Sequence, residues 1–279
     1  MLLGEHAVLH GRRALVCAIN KRMTVSLSQI KAPILRIISD LGNYEAPLGA
    51  LTDHPDFRFV LDAVRQYPPD RGIELKIESE FSSDIGFGSS AAVTVAVHAA
   101  LTGCAKNKME LFKRSLVTIR RVQGRGSGAD VAASVFGGVV AYRAEPLEIC
   151  PVRESFPLTA VYSGSKMKTA EVIALVELAR TDNPEKYERI FDEIDASVGE
   201  VLHDFSRLGE MLGKNQKLME EAGLCNDALA EIIRSFQTLG VPAKISGSGL
   251  GDCAVGLGSF PAAGKYDVYP LTVSAEGVL

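Results

Sequence analysis

The segment Ser83-Asp84-Ile85-Gly86-Phe87-Gly88-Ser89-Ser90-Ala91-Ala92 joins a strand-like run to an apolar helical run. Glycine lets a backbone approach a ligand closely, and the first turn of a helix leaves amide N–H groups without partners. Those amides and the helix dipole suit an anion, and serine hydroxyls add hydrogen bonds or one metal ligand. The chemistry such a turn offers is phosphate binding. The same residue types also serve as a plain helix cap. Two further clusters favour the ligand. Gly124-Arg125-Gly126-Ser127-Gly128-Ala129-Asp130 follows a second helical run, and Ser246-Gly247-Ser248-Gly249-Leu250-Gly251-Asp252 follows a late strand.

Two familiar phosphate motifs do not account for these clusters. A Walker A sequence, with its lysine after glycine, is absent. Gly86-Phe87-Gly88-Ser89-Ser90-Ala91 fits the relaxed dinucleotide pattern, which needs a second strand ending in an acidic residue about twenty positions on. That distance falls at Lys108 to Glu110, at the start of another helix. A phosphate turn joined to a carboxylate remains. Asp130 follows flexible glycines, from which a side chain can reach a ligand in a cleft. In phosphoryl transfer a carboxylate orients or deprotonates the attacking hydroxyl, while a metal ion and backbone amides hold the phosphates. Asp130 can equally be the cap of the helical run Val131 to Phe136, and the residues alone leave both readings open.

The elements that must position these clusters are readable from periodicity. Ala14 to Leu27 predicts one strand and Ile34 to Ile38 another. Phe57, Val60, Leu61 and Val64 have helical spacing, ended by Pro68-Pro69. Ile73, Leu75 and Ile77 alternate with Glu74, Lys76 and Glu78, a half-buried strand feeding the first glycine turn. Ala91 to Leu101 is apolar on nearly all sides and predicts a buried helix in which His98 is a core or edge histidine. Met109 to Gln123 is a second helix, and Gly138 to Tyr142 a strand. The pattern loosens from Cys150 to Pro157, which places a boundary between domains at residues 1–152 and 153–279. Beyond it come a strand at Leu158 to Tyr162, then helices from Thr169, Pro184 and Asn226. Strands near Ala243 to Ser246, Cys253 to Leu257 and Val268 to Val273 follow. Strands and helices mix without strict alternation, an α+β architecture.

Composition bounds the function. At 279 residues the chain suits two smaller domains or one large one. Charged residues make up 23 % and the formal net charge is −4, which argues against a nucleic-acid partner. No apolar run reaches the ~18 residues of a membrane span and no export signal is visible, so a cytoplasmic protein without a membrane partner is expected. Cys17, Cys104, Cys150, Cys225 and Cys253 are scattered without close pairs and read as reduced thiols. His6 and His10 are four apart, but Gly11 and a strand-like context argue against a helical metal pair.

In this order the three clusters resemble the three motifs of the GHMP kinases, a family that includes galactokinase, homoserine kinase, mevalonate kinase and phosphomevalonate kinase. Leu2-Leu3-Gly4-Glu5-His6-Ala7-Val8-Leu9-His10-Gly11 is similar to the mevalonate kinase form of the first motif. Ile85-Gly86-Phe87-Gly88-Ser89-Ser90-Ala91-Ala92 is similar to the second, with Phe87 where leucine is usual. Lys244-Ile245-Ser246-Gly247-Ser248-Gly249-Leu250-Gly251-Asp252-Cys253 is similar to the third. The likeness spans nearly the whole chain. It implies a two-domain fold, with an N-terminal domain like domain 2 of ribosomal protein S5 and a ferredoxin-like C-terminal domain, and ATP and Mg²⁺ held in the cleft between the two. It also implies a small-molecule acceptor, mevalonate or phosphomevalonate, and leaves a homodimer open. Gly86, Gly88, Ser89, Ser90 and Ala91 would hold the nucleotide phosphates, with Ser90 also at Mg²⁺. Ser246, Gly247, Ser248 and Gly249 would close on the phosphates. Asp130 matches the catalytic aspartate, Glu5 and His6 match positions lining the mevalonate pocket, and Thr169 sits where a family threonine lies near the acceptor.

Three departures from the family pattern bear on the substrate. The Pro-Gly-Lys that opens the family's first motif would put its lysine two residues before Met1. Either the start of this sequence is late or the chain lacks the cation beside Asp130, for which Arg120, Arg121 and Arg125 are the nearby candidates. By ungapped count Ile119 occupies the place of a Mg²⁺-binding glutamate. Gln123 to Ala133 and Asp252 lean toward phosphomevalonate kinases, whose more charged substrate would need a basic cluster such as Lys166, Lys168 and the three arginines. Glu5-His6 and the C-terminal Leu271 to Val278 lean toward mevalonate kinase. The expectation is an ATP-dependent kinase acting on the 5-hydroxyl of mevalonate. Its alternatives are phosphomevalonate kinase and a non-catalytic nucleotide or metabolite sensor on the same fold.

Overall fold

Alternation of apolar and charged residues makes the strand that leads into the first glycine turn, and the fold grows from it. The computed structural model describes residues 1–83, 85–124, 126–153, 155–261 and 264–279. Two compact units form: Met1–Asn20, Asp84–Gly86 and Gly137–Ala275 make one, and Lys21–Ser83, Phe87–Phe136 and Glu276–Leu279 the other.

In the second of these units the sheet order is β2 (Met23–Ile30), β5 (Gly72–Ser79), β3 (Ile34–Ser39) and β4 (Gly42–Pro47). β2 runs antiparallel to β5, β3 parallel to β5, and β4 antiparallel to β3. Ile73, Leu75 and Ile77 turn inward as their alternation requires and pack with Leu35, Ile37, Phe57, Leu61, Val64 and Val97. The helices α1 (Arg58–Gln66), α2 (Ser89–Thr102), α3 (Lys108–Gln123) and α4 (Ala129–Phe136) belong to this unit, and α2 packs on α1, α3, α4 and β2. His98 is a core residue of α2, as its apolar surroundings predict. Its Nε2 lies 2.8 Å from the Thr118 hydroxyl, and burial pushes its pKa down to about 4.

The first unit holds two sheets. One pairs β1 (Ala14–Cys17) with β6 (Val139–Arg143) and β6 with β7 (Glu148–Arg153), all antiparallel. The other has the antiparallel order β11 (Val268–Thr272), β8 (Pro157–Tyr162), β10 (Cys253–Gly256) and β9 (Ala243–Ser246). Its core combines Val161, Ile245 and Ala254 with Phe191 and Ile194 of α6 (Pro184–His203) and Leu229, Ile232 and Phe236 of α8 (Asp227–Thr238). α5 (Thr169–Asp182) and α7 (Leu208–Glu221) complete the unit.

The single strand expected over Ala14 to Leu27 is two. β1 stops at Cys17, Ala18 N–H turns to the Gly138 carbonyl, and β2 starts at Met23 in a different sheet. The polar Asn20-Lys21-Arg22 marks the break. β4, β7 and α7 were not expected. β7 is an edge strand carrying Pro151, so its residues show no buried alternation and its sequence reads as loop. Among the described residues no helix is long and apolar enough to cross a membrane.

Candidate functional site

The first glycine turn follows β5 and opens α2. Gly86 and Gly88 take φ of 78° and 73°, the left-handed region in which a side chain is strained. Gly88 stands at the N-cap of the fourteen-residue α2 without a side-chain hydrogen bond to its first turn, so the leading amides keep their anion-binding capacity. Ser89 and Ser90 are half-buried there, and Ala91 is buried. Ser90 Oγ accepts a long 3.5 Å contact from Gln123 Nε2, while its carbonyl accepts from Thr94 Oγ1 at 2.6 Å.

Asp130 stands beside this turn. A Cβ built on Gly88 would lie 3.7 Å from Asp130 Cγ and 3.8 Å from its Oδ2. The capping alternative for Asp130 is overturned. α4 begins at Ala129, so Asp130 is its second residue, exposed in the first turn, and Ser127 Oγ accepts the Ala129 N–H at 3.2 Å. An exposed carboxylate and a helix N-terminus without a side-chain cap are therefore adjacent within one unit.

The neighbouring positions are less favourable to a metal or a cation. Ile119 is 5 % exposed in α3, and a Cβ on Gly126 would stand 2.8 Å from its Cγ2, so an apolar contact occupies the position expected for a carboxylate. Arg121 Nε is 3.3 Å from Asp62 Oδ1, and Arg120 Nε reaches the Gly126 carbonyl at 3.5 Å. Arg125 lies outside the described residues.

In the other unit the third cluster forms the turn between β9 and β10. Gly247, Gly249, Leu250 and Asp252 all have positive φ. A Cβ on Gly249 would come within 2.7 Å of the Leu224 carbonyl, to which Leu250 N–H donates at 2.8 Å. Asp252 is 6 % exposed, and burial raises its carboxyl pKa while Lys166, 3.9 Å away, lowers it. A Cβ on Gly86 would stand 2.9 Å from Asp252 Cγ. Cys253 Sγ donates to the Ile85 carbonyl at 3.1 Å, and burial pushes its thiol up to about 12, which removes it from nucleophilic chemistry. Thr169 is exposed at the first position of α5, and Lys168 just before it pairs with Glu171 at 3.9 Å.

Glu5 and His6 belong to the same unit as the third cluster. The strand-like context expected for His6 and His10 is a tight turn instead. Ala7 N–H donates to the Glu5 carbonyl at 2.6 Å around His6, and a 3-10 turn runs over Ala7–His10. His10 stacks on Phe191 at 4.5 Å and meets Glu177 at 3.1 Å, whereas His6 Nε2 lies 2.8 Å from the Ser248 carbonyl. The two imidazoles thus serve different neighbours. Among the described residues no group of three or more His, Cys, Asp or Glu is placed to hold a metal. Glu5 is only 2 % exposed and forms an ion pair with Lys244, which is itself fully buried. The family resemblance implies a place for Glu5 at the acceptor and no role for Lys244. Its signal was a lysine opening the buried run Lys244-Ile245.

The chain is similar to known proteins. A family model described as the GHMP kinases N terminal domain matches residues 57–138, and one described as the GHMP kinases C terminal matches residues 189–265. A mevalonate kinase of Archaeoglobus fulgidus is 37 % identical, over 92 % of this chain and 89 % of that one. A mevalonate kinase of Thermococcus gammatolerans is 30 % identical over 92 % of this chain and 86 % of that one. Among solved structures, the Methanococcus jannaschii mevalonate kinase superposes with a TM-score of 0.84 at 21 % identity, over 98 % of this chain and 95 % of that one. The L. major mevalonate kinase in complex with R-mevalonate gives 0.80 at 22 %, over 99 % and 94 %.

Proposed function

The chain belongs to the GHMP kinases, and from that membership we propose that it transfers a phosphoryl group from ATP to the 5-hydroxyl of mevalonate. Use of ATP follows from the family. The choice of acceptor is supported by relatives named mevalonate kinase that match over most of the chain. One observation carries the chemistry: the Asp130 carboxylate stands beside Gly88, at the start of a helix with no side-chain cap. Phosphoryl transfer asks little covalent work of a protein and much positioning, and this pairing offers an anion cradle next to a base.

In this reading residues 1–152 are the ATP-binding domain and residues 153–279 the C-terminal domain. The amides from Gly88 to Ala91 hold phosphate oxygens, helped by the Ser89 and Ser90 hydroxyls. Ser246, Gly247, Ser248 and Gly249 bind phosphate through backbone amides freed by positive φ at the two glycines. Asp130 orients the acceptor hydroxyl and takes its proton, and Thr169 hydrogen-bonds the acceptor.

A divalent cation fits this donor set sparingly. Ser90 Oγ is an oxygen the turn offers, with one long contact to Gln123, while Ile119 offers none. Mg²⁺ keeps several waters and is usually bound through one or two carboxylates plus substrate phosphates, so Ser90 would be a minor ligand beside the phosphates. When bound, it would neutralise charge on the phosphates.

ADP release by the purified chain with MgATP tests the reading. Turnover is expected with mevalonate and not with 5-phosphomevalonate; turnover on the phosphorylated substrate alone, or on neither, overturns it. Gly86→Ala is a second check. Its methyl group would meet Asp252 Cγ at 2.9 Å on a backbone already at φ 78°. Strain of this kind costs roughly 1–2 kcal/mol and is relieved by displacing the turn from its phosphate-binding position, so KM for ATP is expected to rise about tenfold.

A further inference from the structure

His6 sits at the centre of a strained turn. Its φ of 58° and ψ of −47°, with the 2.6 Å bond from Ala7 N–H to the Glu5 carbonyl, make a classic γ-turn, which side-chain-bearing residues rarely adopt. Such a conformation persists only where its surroundings over-determine it. Two contacts do so. Lys244 Nζ donates to the Glu5 carboxylate and to the Ile245 carbonyl at the end of β9, and Ile245 N–H is fixed by Gln216 Oε1 at 2.8 Å. On the other side of the turn, His6 Nε2 meets the Ser248 carbonyl at 2.8 Å. A carbonyl can only accept, so Nε2 carries the proton. Burial lowers the pKa of His6 and keeps the imidazole neutral, which leaves Nδ1 without a proton.

We propose that Glu5, His6 and Lys244 are positioning residues for the glycine-rich 246–250 turn. The buried ion pair seats the γ-turn on β9, and the γ-turn aims the His6 ring at Ser248. Ser248 then has its carbonyl occupied, while its buried hydroxyl has no hydrogen-bond partner among the described residues. A buried hydroxyl left unpaired is costly, and a phosphate oxygen would satisfy it. The role of the turn as a phosphate clamp rests on the kinase reading above; the mechanical coupling does not.

The experiment therefore reads both. His6→Phe keeps the ring and removes the donor, and His6→Gln restores an N–H. The double variant Glu5→Gln/Lys244→Met removes both buried charges at similar volume, which keeps the chain foldable. Amide exchange is followed at Leu250, whose N–H is bonded to the Leu224 carbonyl. In His6→Phe and in the double variant exchange there is expected to quicken by about tenfold, the loss of roughly one hydrogen bond. The Kd for MgADP should rise by about the same factor, with partial recovery in His6→Gln. Unchanged exchange in both variants overturns the proposal, as does a tenfold rise in KM for mevalonate at unchanged MgADP affinity. A wild-type chain that binds no MgADP overturns the kinase reading instead, and the exchange rates still decide the coupling.

Discussion

Asp130→Asn is expected to lower kcat by about 10²–10⁴-fold while MgADP affinity and folding stay near wild type. Asparagine keeps the size of the side chain and its place in the first turn of α4, but it neither accepts the hydroxyl proton nor carries charge. The two possible costs differ in scale. Loss of a carboxylate from a helix first turn removes about 0.3–1 kcal/mol of dipole interaction, a shift of a few degrees in Tm. Loss of a general base removes two to four orders of magnitude in rate. Exposure of Asp130 sharpens the contrast, since an isosteric replacement at an exposed position costs little stability. Steady-state ADP release, calorimetric MgADP binding and a thermal melt on one preparation separate the effects. A kcat within tenfold of wild type would remove Asp130 from the chemistry and return weight to a sensor on this fold.

Much of the route to Asp130 was legible because local and tertiary demands agree there. The Ile73, Leu75, Ile77 alternation names the buried face of β5, and the spacing of Phe57, Val60, Leu61 and Val64 names that of the first helix. Gly86 and Gly88 read as turn residues, and both adopt φ values that favour glycine. What escaped depends on partners far along the chain. β7 owes its existence to pairing with β6, and a proline-bearing edge strand has no periodicity of its own. The break between β1 and β2 is a choice between two sheets, and the apolar run on either side conceals it. Glu5 reads as a polar residue in a ligand motif. Only the fold brings Lys244, 239 positions away, to its carboxylate. His6 is similar: nothing in its neighbours announces a γ-turn, because the bonds that hold it come from Lys244 and Ser248.

Removing one partner of that buried pair should be far worse than removing both. Glu5→Gln leaves the Lys244 ammonium enclosed without a counter-charge, a loss of about 3–5 kcal/mol at neutral pH. Burial already pushes Lys244 below the ordinary lysine pKa and Glu5 pushes back, so the substitution leaves desolvation unopposed. The sign of the pH dependence follows. A lysine with a depressed folded pKa makes the folded state lose stability as pH falls through that value, and regain it as pH rises toward the unfolded value. The Glu5→Gln deficit should therefore shrink as the solution becomes alkaline, measured against Glu5→Gln/Lys244→Met so that other titrating groups cancel. The double variant holds no stranded charge and is expected within about 1 kcal/mol of wild type, since apolar replacement of a buried pair is often neutral. Urea denaturation of the three proteins across a pH series tests this, and a Glu5→Gln deficit that is small or independent of pH would mean that water reaches the pair. A double variant as stable as wild type, yet with faster exchange at Leu250, would show that the two charges are retained for the geometry of the 246–250 turn and contribute little to folding.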